Sequence, residues 1–376
     1  MNSLNLKEKK ALIIGTTGKG ESFSFGGSDK IKSLKDVLLG LYGNVEIANT
    51  FNWKNHPFKT FYKVKKAIKS ADDVYVVLSV NGTKFFCPFI IRWARKKNAR
   101  LFYPMVGIGE LEYEVKDDPN YDKITKLIQS KNLWHKGNKK VGNILKKMNA
   151  VLVQTPRLQE MCQVFYDLNN VFVFDNIRSY IPNSEYIKSE VSCQRDIRFV
   201  YFAALNSKKG ANLALEAANK LLSNGLSNFS IDFYGRLSDE LKPLFADNNL
   251  PKNLSYKGVC LRDKLNVLSK YDCLIYPSIF VEGMPGTIVD ARFSALPIIS
   301  SSFTFSDELI SDGVDGLIFK RGDSNDLASK MKFLIENRQI IPDFSKHSFE
   351  RCFNCTIESG KEEIMSIIKN IDKTAE

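Results

Sequence analysis

The chain has 376 residues, 44% of them hydrophobic and 26% charged, a balance that excludes a disordered or fibrous protein and fits a soluble enzyme of two domains. No apolar run approaches the roughly 18 to 20 residues of a membrane span, and the first ten residues lack the apolar stretch of a secretory signal, so a cytoplasmic protein is expected. Net charge is +12 but lopsided: residues 1–180 hold 30 basic and 16 acidic side chains, the remainder 24 and 26.

The run Ala11-Leu12-Ile13-Ile14 reads as a strand feeding Gly15-Thr16-Thr17-Gly18-Lys19-Gly20, a loop that could face the phosphates of ATP, of NAD or of another ligand. It fails the ATP pattern GxxxxGK[ST], since Ile13 stands at the first glycine position and Gly20 follows the lysine, and its glycines are not spaced as GxGxxG. Apolar residues at Ile31, Leu34, Val37, Leu38 and Leu41 predict a helix over 29–41, with Gly43 near its stop. Strands follow at 45–48 and 74–80, separated by a basic helix ending near Ser70; then come a helix at 85–93, a strand at 101–106, a helix at 136–148 and strands at 151–153 and 171–174.

Residues 176–195 are polar, hold Pro182, show no period and read as a linker. Beyond it the rhythm restarts. Strands are predicted at 197–202, 229–234, 273–276 and 297–300, an extended segment at 316–319, and helices at 211–222, 263–268, around 290–294, at 326–336 and at 361–371. Alternation of this kind predicts an α/β protein of two doubly wound, Rossmann-like domains, 1–175 and 196–350, facing each other across a cleft where ligands meet the strands' C-terminal ends.

The most informative stretch is Tyr276-Pro277-Ser278-Ile279-Phe280-Val281-Glu282-Gly283-Met284-Pro285-Gly286-Thr287-Ile288-Val289-Asp290. A strand ends, a Gly/Pro loop follows, and a helix begins near Gly286 or Thr287, offering unpaired backbone N–H groups to a diphosphate. Gly283 and Gly286 let the backbone approach a ligand. Glu282 and Asp290 flank this loop, and carboxylates beside a phosphate site make sense as acceptors for sugar hydroxyls, a charged hydrogen bond worth about 1.5 to 3 kcal/mol. A diphosphate with a diol at each end is a nucleotide sugar.

These residues, with Lys209-Gly210, Gly235, Lys257-Gly258-Val259, Pro277-Ser278, Ala295-Leu296-Pro297-Ile298-Ile299, Glu308-Leu309-Ile310, Asp312-Gly313 and Gly316, resemble the C-terminal domain of glycosyltransferase family four, the retaining enzymes of the GT-B fold. The resemblance covers most of residues 195–319. It implies that Glu282 holds donor-sugar hydroxyls, that the backbone of Gly283, Met284, Pro285, Gly286 and Thr287 places sugar and diphosphate, and that Asp290 takes the ribose. Lys209 would offset the charge growing on the diphosphate, Gly258 and Val259 would flank the nucleobase, and Gly26-Gly27 match the family's N-terminal glycine pair. It also implies a metal-independent reaction without a cofactor, the nucleotide sugar being a substrate, and a last helix, within 351–376, that returns to the N-terminal domain.

Three departures stand out. Asp290 replaces the family's usual glutamate; Ala203-Ala204-Leu205 stands where an arginine usually meets the diphosphate, with Arg236 as the candidate substitute; and Val106-Gly107-Ile108-Gly109 stands where many members carry a histidine. Neither His56 nor His135 is assigned to the site. Cys352-Phe353-Asn354-Cys355 has CxxC spacing, but no second ligand pair accompanies it, so no metal is assigned. In this fold the N-terminal half holds the acceptor. Its basic runs, Lys63-Val64-Lys65-Lys66, Arg95-Lys96-Lys97 and the segment 136–147, point to an anionic membrane surface carrying a lipid-pyrophosphate-linked saccharide, hence peripheral association with the inner face. No nucleic-acid module is recognisable. The expectation is a hexosyltransferase building a bacterial surface polysaccharide such as O-antigen or capsule; the alternative is a non-catalytic nucleotide-sugar-binding or partner subunit.

Overall fold

The structure, a computed structural model, describes residues 5–17, 26–105, 107, 138–246, 249–260, 262–280 and 282–375. The opening-loop residues 18–25, Val106, Ile108, Gly109 and His135 fall outside them. The chain divides into two compact units, Met1–Ser179 with Asn354–Glu376, and Tyr180–Phe353.

The first unit runs β1 (Lys10–Gly15), α1 (Gly26–Leu41), β2 (Asn44–Asn49), α2 (Pro57–Ile68), β3 (Asp73–Val77), α3 (Val80–Arg95), β4 (Arg100–Pro104), α4 (Asn138–Leu145), β5 (Ala150–Val153), α5 (Pro156–Tyr166) and β6 (Val171–Val173). The strands form one parallel sheet in the order β2-β1-β3-β4-β5-β6. β3 and β5 are buried at every position, as expected of strands covered by helices on both faces. The strand expected at 74–80 ends early because Ser79 caps α3, its Oγ accepting from the Gly82 N–H at 3.4 Å. Thr155 and Pro156 start α5, a helix the apolar period does not announce, by the same chemistry: the Thr155 hydroxyl accepts from Leu158 N–H at 3.2 Å.

The second unit comprises β7 (Ile197–Phe202), α6 (Ala211–Ser223), β8 (Phe229–Tyr234), β9 (Leu254–Gly258), α7 (Lys264–Leu268), β10 (Cys273–Tyr276), α8 (Gly286–Phe293), β11 (Ile298–Ser301), α9 (Ser306–Leu309), β12 (Gly316–Phe319), α10 (Ser324–Glu336) and α11 (Ile341–Glu350). Its parallel sheet is ordered β12-β11-β10-β7-β8-β9, so strand order reverses between β7 and β10. Phe199, Phe229, Ile231, Phe233, Leu327 and Met331 belong to the core beneath it.

The last helix, α12 (Ile357–Ala375), packs on α1 of the first unit and puts Ile364, Ile367, Ile368 and Ile371 into that unit's core beside Leu34, Val37 and Leu38. Gly360 permits the approach: a Cβ there would stand 2.8 Å from Val37 Cγ2 and 3.0 Å from Ile177 Cγ1. Arg100 fastens the far end, bonding buried Asp73 through two 2.7 Å contacts and reaching Asp372 at 2.9 Å. Among the described residues, no helix is long and apolar enough to cross a membrane.

Candidate active site

The point where a parallel sheet reverses its order leaves a crevice at the strands' C-terminal ends. In the second unit this crevice lies between β7 and β10. Past β7 the chain makes a 3-10 turn over Ser207–Lys209, capped by Asn206, whose side chain accepts from the Lys209 N–H at 2.9 Å. Gly210 closes the turn at φ +73, and a Cβ there would sit 1.9 Å from the Pro277 carbonyl oxygen. Only glycine lets the two strand ends come this close.

This closeness brings the ammonium of Lys209 into an ion pair with Glu282, 73 residues along the chain. Both side chains keep solvent access, 29% for Lys209 and 12% for Glu282, so the pair lines an open site. Ser278 Oγ donates to the same Glu282 oxygen at 2.8 Å. Tyr276 and Tyr201 complete the ring. Burial pushes both phenols well above their ordinary pKa, with the negative charge of Glu282 adding to it, and Tyr276 also hydrogen-bonds Glu282. Tyr201 Oη donates to the Ala204 carbonyl at 2.8 Å, tying the ring to the loop after β7. Ser301 Oγ donates to the Ser278 carbonyl at 2.5 Å, Ile279 and Phe280 N–H groups donate to the Lys208 carbonyl at 2.9 and 3.1 Å, and Arg321 donates to the Ile279 carbonyl. The loop carrying Glu282 is thus held from three sides.

The remaining expected residues are placed as follows. Gly283 and Met284 are buried, Pro285 directly precedes α8, and Gly286 opens it. Thr287 Oγ1 donates to the Phe202 carbonyl at 2.9 Å, which ties the α8 N-terminus to the end of β7. Asp290 lies in α8 and is 5% exposed. Gly258 ends β9 at φ +74 with open space where a Cβ would project, and Val259 after it is 53% exposed. Arg236 is exposed just beyond β8, and its carbonyl accepts from Leu205 N–H at 2.9 Å. That bond puts Arg236 alongside the Ala203-Ala204-Leu205 segment that lacks the family's arginine. Gly26 and Gly27 begin α1 in the first unit. His56 directly precedes α2.

Sequence reasoning missed Tyr201, Arg321 and the roles of Tyr276 and Ser278 around Glu282. The available signal was a tyrosine near the end of two apolar strands, since a buried phenol must place its hydroxyl on a partner. Cys352 and Cys355 are buried free thiols, and burial pushes Cys352 up to about 12. Among the described residues, no group of three or more His, Cys, Asp or Glu side chains is arranged to hold a metal ion.

With this geometry in view, the similarities to known proteins fall into place. The solved structure of HepE from Anabaena, in complex with UDP-glucose, superposes with a TM-score of 0.69 over 96% of this chain and 100% of that one, at 15% identity. The fold is GT-B, as the family resemblance implied, built from the two doubly wound units expected from the alternating elements. Residues 183–351, inside the second unit, match the family described as glycosyl transferases group 1. The amylovoran biosynthesis glycosyltransferase AmsK of Erwinia amylovora is 28% identical over 169 residues, 43% of this chain and 42% of that protein. The Escherichia coli UDP-Gal:alpha-D-GlcNAc-diphosphoundecaprenol alpha-1,3-galactosyltransferase is 28% identical over 162 residues, 42% of this chain and 39% of that one. The alignments thus span under half of each of these two relatives. The family match thus falls within the second unit, and the chain shares the GT-B fold of the solved neighbour.

Proposed function

We propose that the chain is a retaining glycosyltransferase that moves a sugar from a uridine diphosphate donor to a hydroxyl of a lipid-pyrophosphate-linked saccharide, in the synthesis of a bacterial surface polysaccharide such as O-antigen or capsule. The observation that carries this reading is the Lys209–Glu282 pair at the reversal point of the second sheet, followed within four residues by a helix N-terminus. A cation and the backbone N–H groups suit a diphosphate; a largely buried carboxylate beside hydroxyls, still reached by solvent, suits a sugar. The relatives supply the class of partners: UDP-glucose is bound by HepE, and the E. coli enzyme is named for a UDP-sugar donor and a diphosphoundecaprenol acceptor.

In the proposed reaction the donor lies across the strand ends, base toward Gly258 and Val259, ribose toward Asp290, sugar against Glu282. From β10 to β9 is three strand spacings, roughly 14 Å. The bond between the anomeric carbon and the phosphate oxygen breaks as the acceptor oxygen attacks from the same face. The acceptor's proton passes to the departing phosphate oxygen, and Lys209, drawn from Glu282 to the diphosphate, offsets the charge that grows there. Glu282, kept in place by Ser278 and Tyr276, holds the sugar hydroxyls. The step needs neither a metal nor a cofactor in this reading, and the basic first half keeps the protein peripherally on the anionic cytoplasmic membrane face.

Thermal shift against UDP, GDP, ADP and their sugars is the first test, because a ligand of the folded state stabilises it. A shift with UDP and UDP-sugars alone is expected; no shift with any nucleotide would sink the reading. Binding of UDP-sugars without transfer to any lipid-linked acceptor would identify the non-catalytic alternative instead.

A further inference from the structure

The helices α2 and α3 carry a surface that the sugar chemistry does not use. Between Lys54 and Ala71 there are six lysines and no acid; between Ser79 and Ala99 there are five lysines and arginines and no acid. On the same helices four large aromatic side chains face solvent: Phe58 at 89% exposure and Tyr62 at 69%, one turn apart on α2, and Phe85 and Phe89, one turn apart on α3. Isolated exposed aromatics need no explanation, but a cluster rimmed by charge of one sign marks an interaction surface.

Packing explains how the cluster is held. Phe61 stands edge-on to Phe89 and Trp93, with ring centroids 4.7 and 4.6 Å apart, and forms the seam between the helices. Lys65 Nζ lies 5.9 Å from the Trp93 ring centroid. Between the helices is an open pocket of about 460 Å³, with Phe61, Phe89 and Trp93 as its aromatic wall and Lys65, Lys69, Arg92, Lys96 and Lys97 around it. A protein partner's apolar patch would meet a rim of cations there, with no acid between Lys54 and Ala71 or between Ser79 and Ala99, whereas a bilayer of anionic lipids offers both parts of the match. Its headgroups neutralise the lysines, and its interfacial zone takes aromatic rings that are apolar at the body and polar at the tip.

We propose that the α2–α3 face docks the protein on an anionic bilayer, with Phe58 and Tyr62 entering the interfacial zone and the pocket between the helices seating a phosphate headgroup. This names the surface for the peripheral association proposed above and rests on that part of the reading, but not on the sugar chemistry. The test is flotation of the full chain with vesicles of phosphatidylcholine alone and of phosphatidylcholine mixed with phosphatidylglycerol. Wild type floats only with the mixed vesicles and is released by high salt. The triple charge reversal Lys65→Glu, Lys69→Glu, Lys96→Glu lowers vesicle affinity by about 100-fold or more. The double substitution Phe58→Ser, Tyr62→Ser lowers it by about 10-fold or more while leaving the charge unchanged. Lipids brominated along the acyl chain quench tryptophan fluorescence of the wild type and not of the double variant.

All the replaced side chains are exposed, so the variants keep the wild-type melting temperature, and their UDP-induced thermal shift is unchanged. That second readout separates a failed docking surface from a failed donor site. Equal flotation of wild type and both variants would overturn the proposal, as would equal affinity for the two vesicle types. A result in which the same substitutions abolish self-association or RNA binding, with no vesicle binding by wild type, would assign the face to those partners and overturn it too.

Discussion

The two units share a device at one edge of their sheets and part company at the other. In each, a fully buried aspartate stands at the N-terminal end of a central strand and is gripped by an arginine: Asp73 of β3 by Arg100 through two 2.7 Å bonds, and Asp272 before β10 by Arg195 at 2.6 and 2.7 Å. Asp73 receives Tyr42 Oη as well, at 2.6 Å, and Asp272 the Arg198 N–H at 2.8 Å. At the C-terminal edge the second unit places glycines where nothing larger fits, Gly210 against Pro277 and Gly235 at φ +145 with its would-be Cβ 1.8 Å from the Ala203 carbonyl, and pairs Lys209, next to Gly210, with Glu282. The first unit instead spends its distinctive chemistry on the outer faces of α2 and α3. Strand starts secure the fold in both units, and what differs is where each gathers its exposed charged and aromatic groups.

The largest effect is expected at the aspartate–arginine pairs that the two units share. Replacing Arg100 by methionine strands the Asp73 charge in the core and should lower unfolding free energy by about 3 to 5 kcal/mol, read from denaturant unfolding. Arg195→Met should lower it less, because that arginine side chain is 36% exposed against 13% for Arg100. If Arg195→Met proves the more damaging, the aspartates are not doing the same job.

At the opposite edge, Glu282→Ala should reduce turnover with a UDP-sugar by about 100 to 1,000-fold while UDP alone still binds, measured by product formation and thermal shift. Unchanged turnover would remove Glu282 from the site. Gly210→Ala combines an unfavourable φ with a clash against backbone and should destabilise the chain by about 2 kcal/mol, seen as a lower melting temperature. The equivalent change at Gly258, where φ is also positive but the space is open, should cost about 1 kcal/mol from φ alone. Equal losses would mean that crowding at Gly210 is relieved by movement of the 277–280 loop.

The smallest effect lies where α12 meets the first unit. Burial, with the nearby charge of Asp175, raises Glu363 from 4.5 to about 7, although its carboxylate accepts the Asp175 N–H at 3.0 Å. Between about pH 4.5 and 7 the unfolded chain releases a proton that the folded chain keeps, so this group's contribution is full below pH 4.5 and is lost as pH rises through 7. Glu363→Gln should flatten that part of the stability profile and gain on the order of 1 kcal/mol at pH 8. A parallel profile in the variant would clear Glu363 of the effect.

Much of this architecture was legible because parallel strands covered on both faces must be apolar and the helices between them periodic. What escaped detection had a physical reason. β9 is an edge strand, Leu254-Ser255-Tyr256-Lys257-Gly258, buried only at Leu254, so it has no apolar run to announce it. The 74–80 segment read as one strand since Leu78-Ser79-Val80 continues its composition; only the cap at Ser79 divides it. In the candidate site, the placing of Glu282 and Asp290 on either side of the loop was legible from spacing, whereas Lys209 was expected from the family resemblance alone. The tyrosine and serine ring around Glu282 was not legible, because it depends on the pairing of Tyr201 with Ile275 across neighbouring strands far apart in sequence.

The return of the last helix has an evolutionary reading. The chain leaves the first unit after Ser179 and re-enters it at Asn354, and just inside those two points the Arg178 N–H donates to the Cys355 carbonyl at 2.8 Å. The exit and entry of the second unit are therefore neighbours on one piece of scaffold. In genetic terms the second unit is a cassette: an insertion whose two seams lie together, so that recombination could exchange one such unit for another without moving the helices that flank the joint.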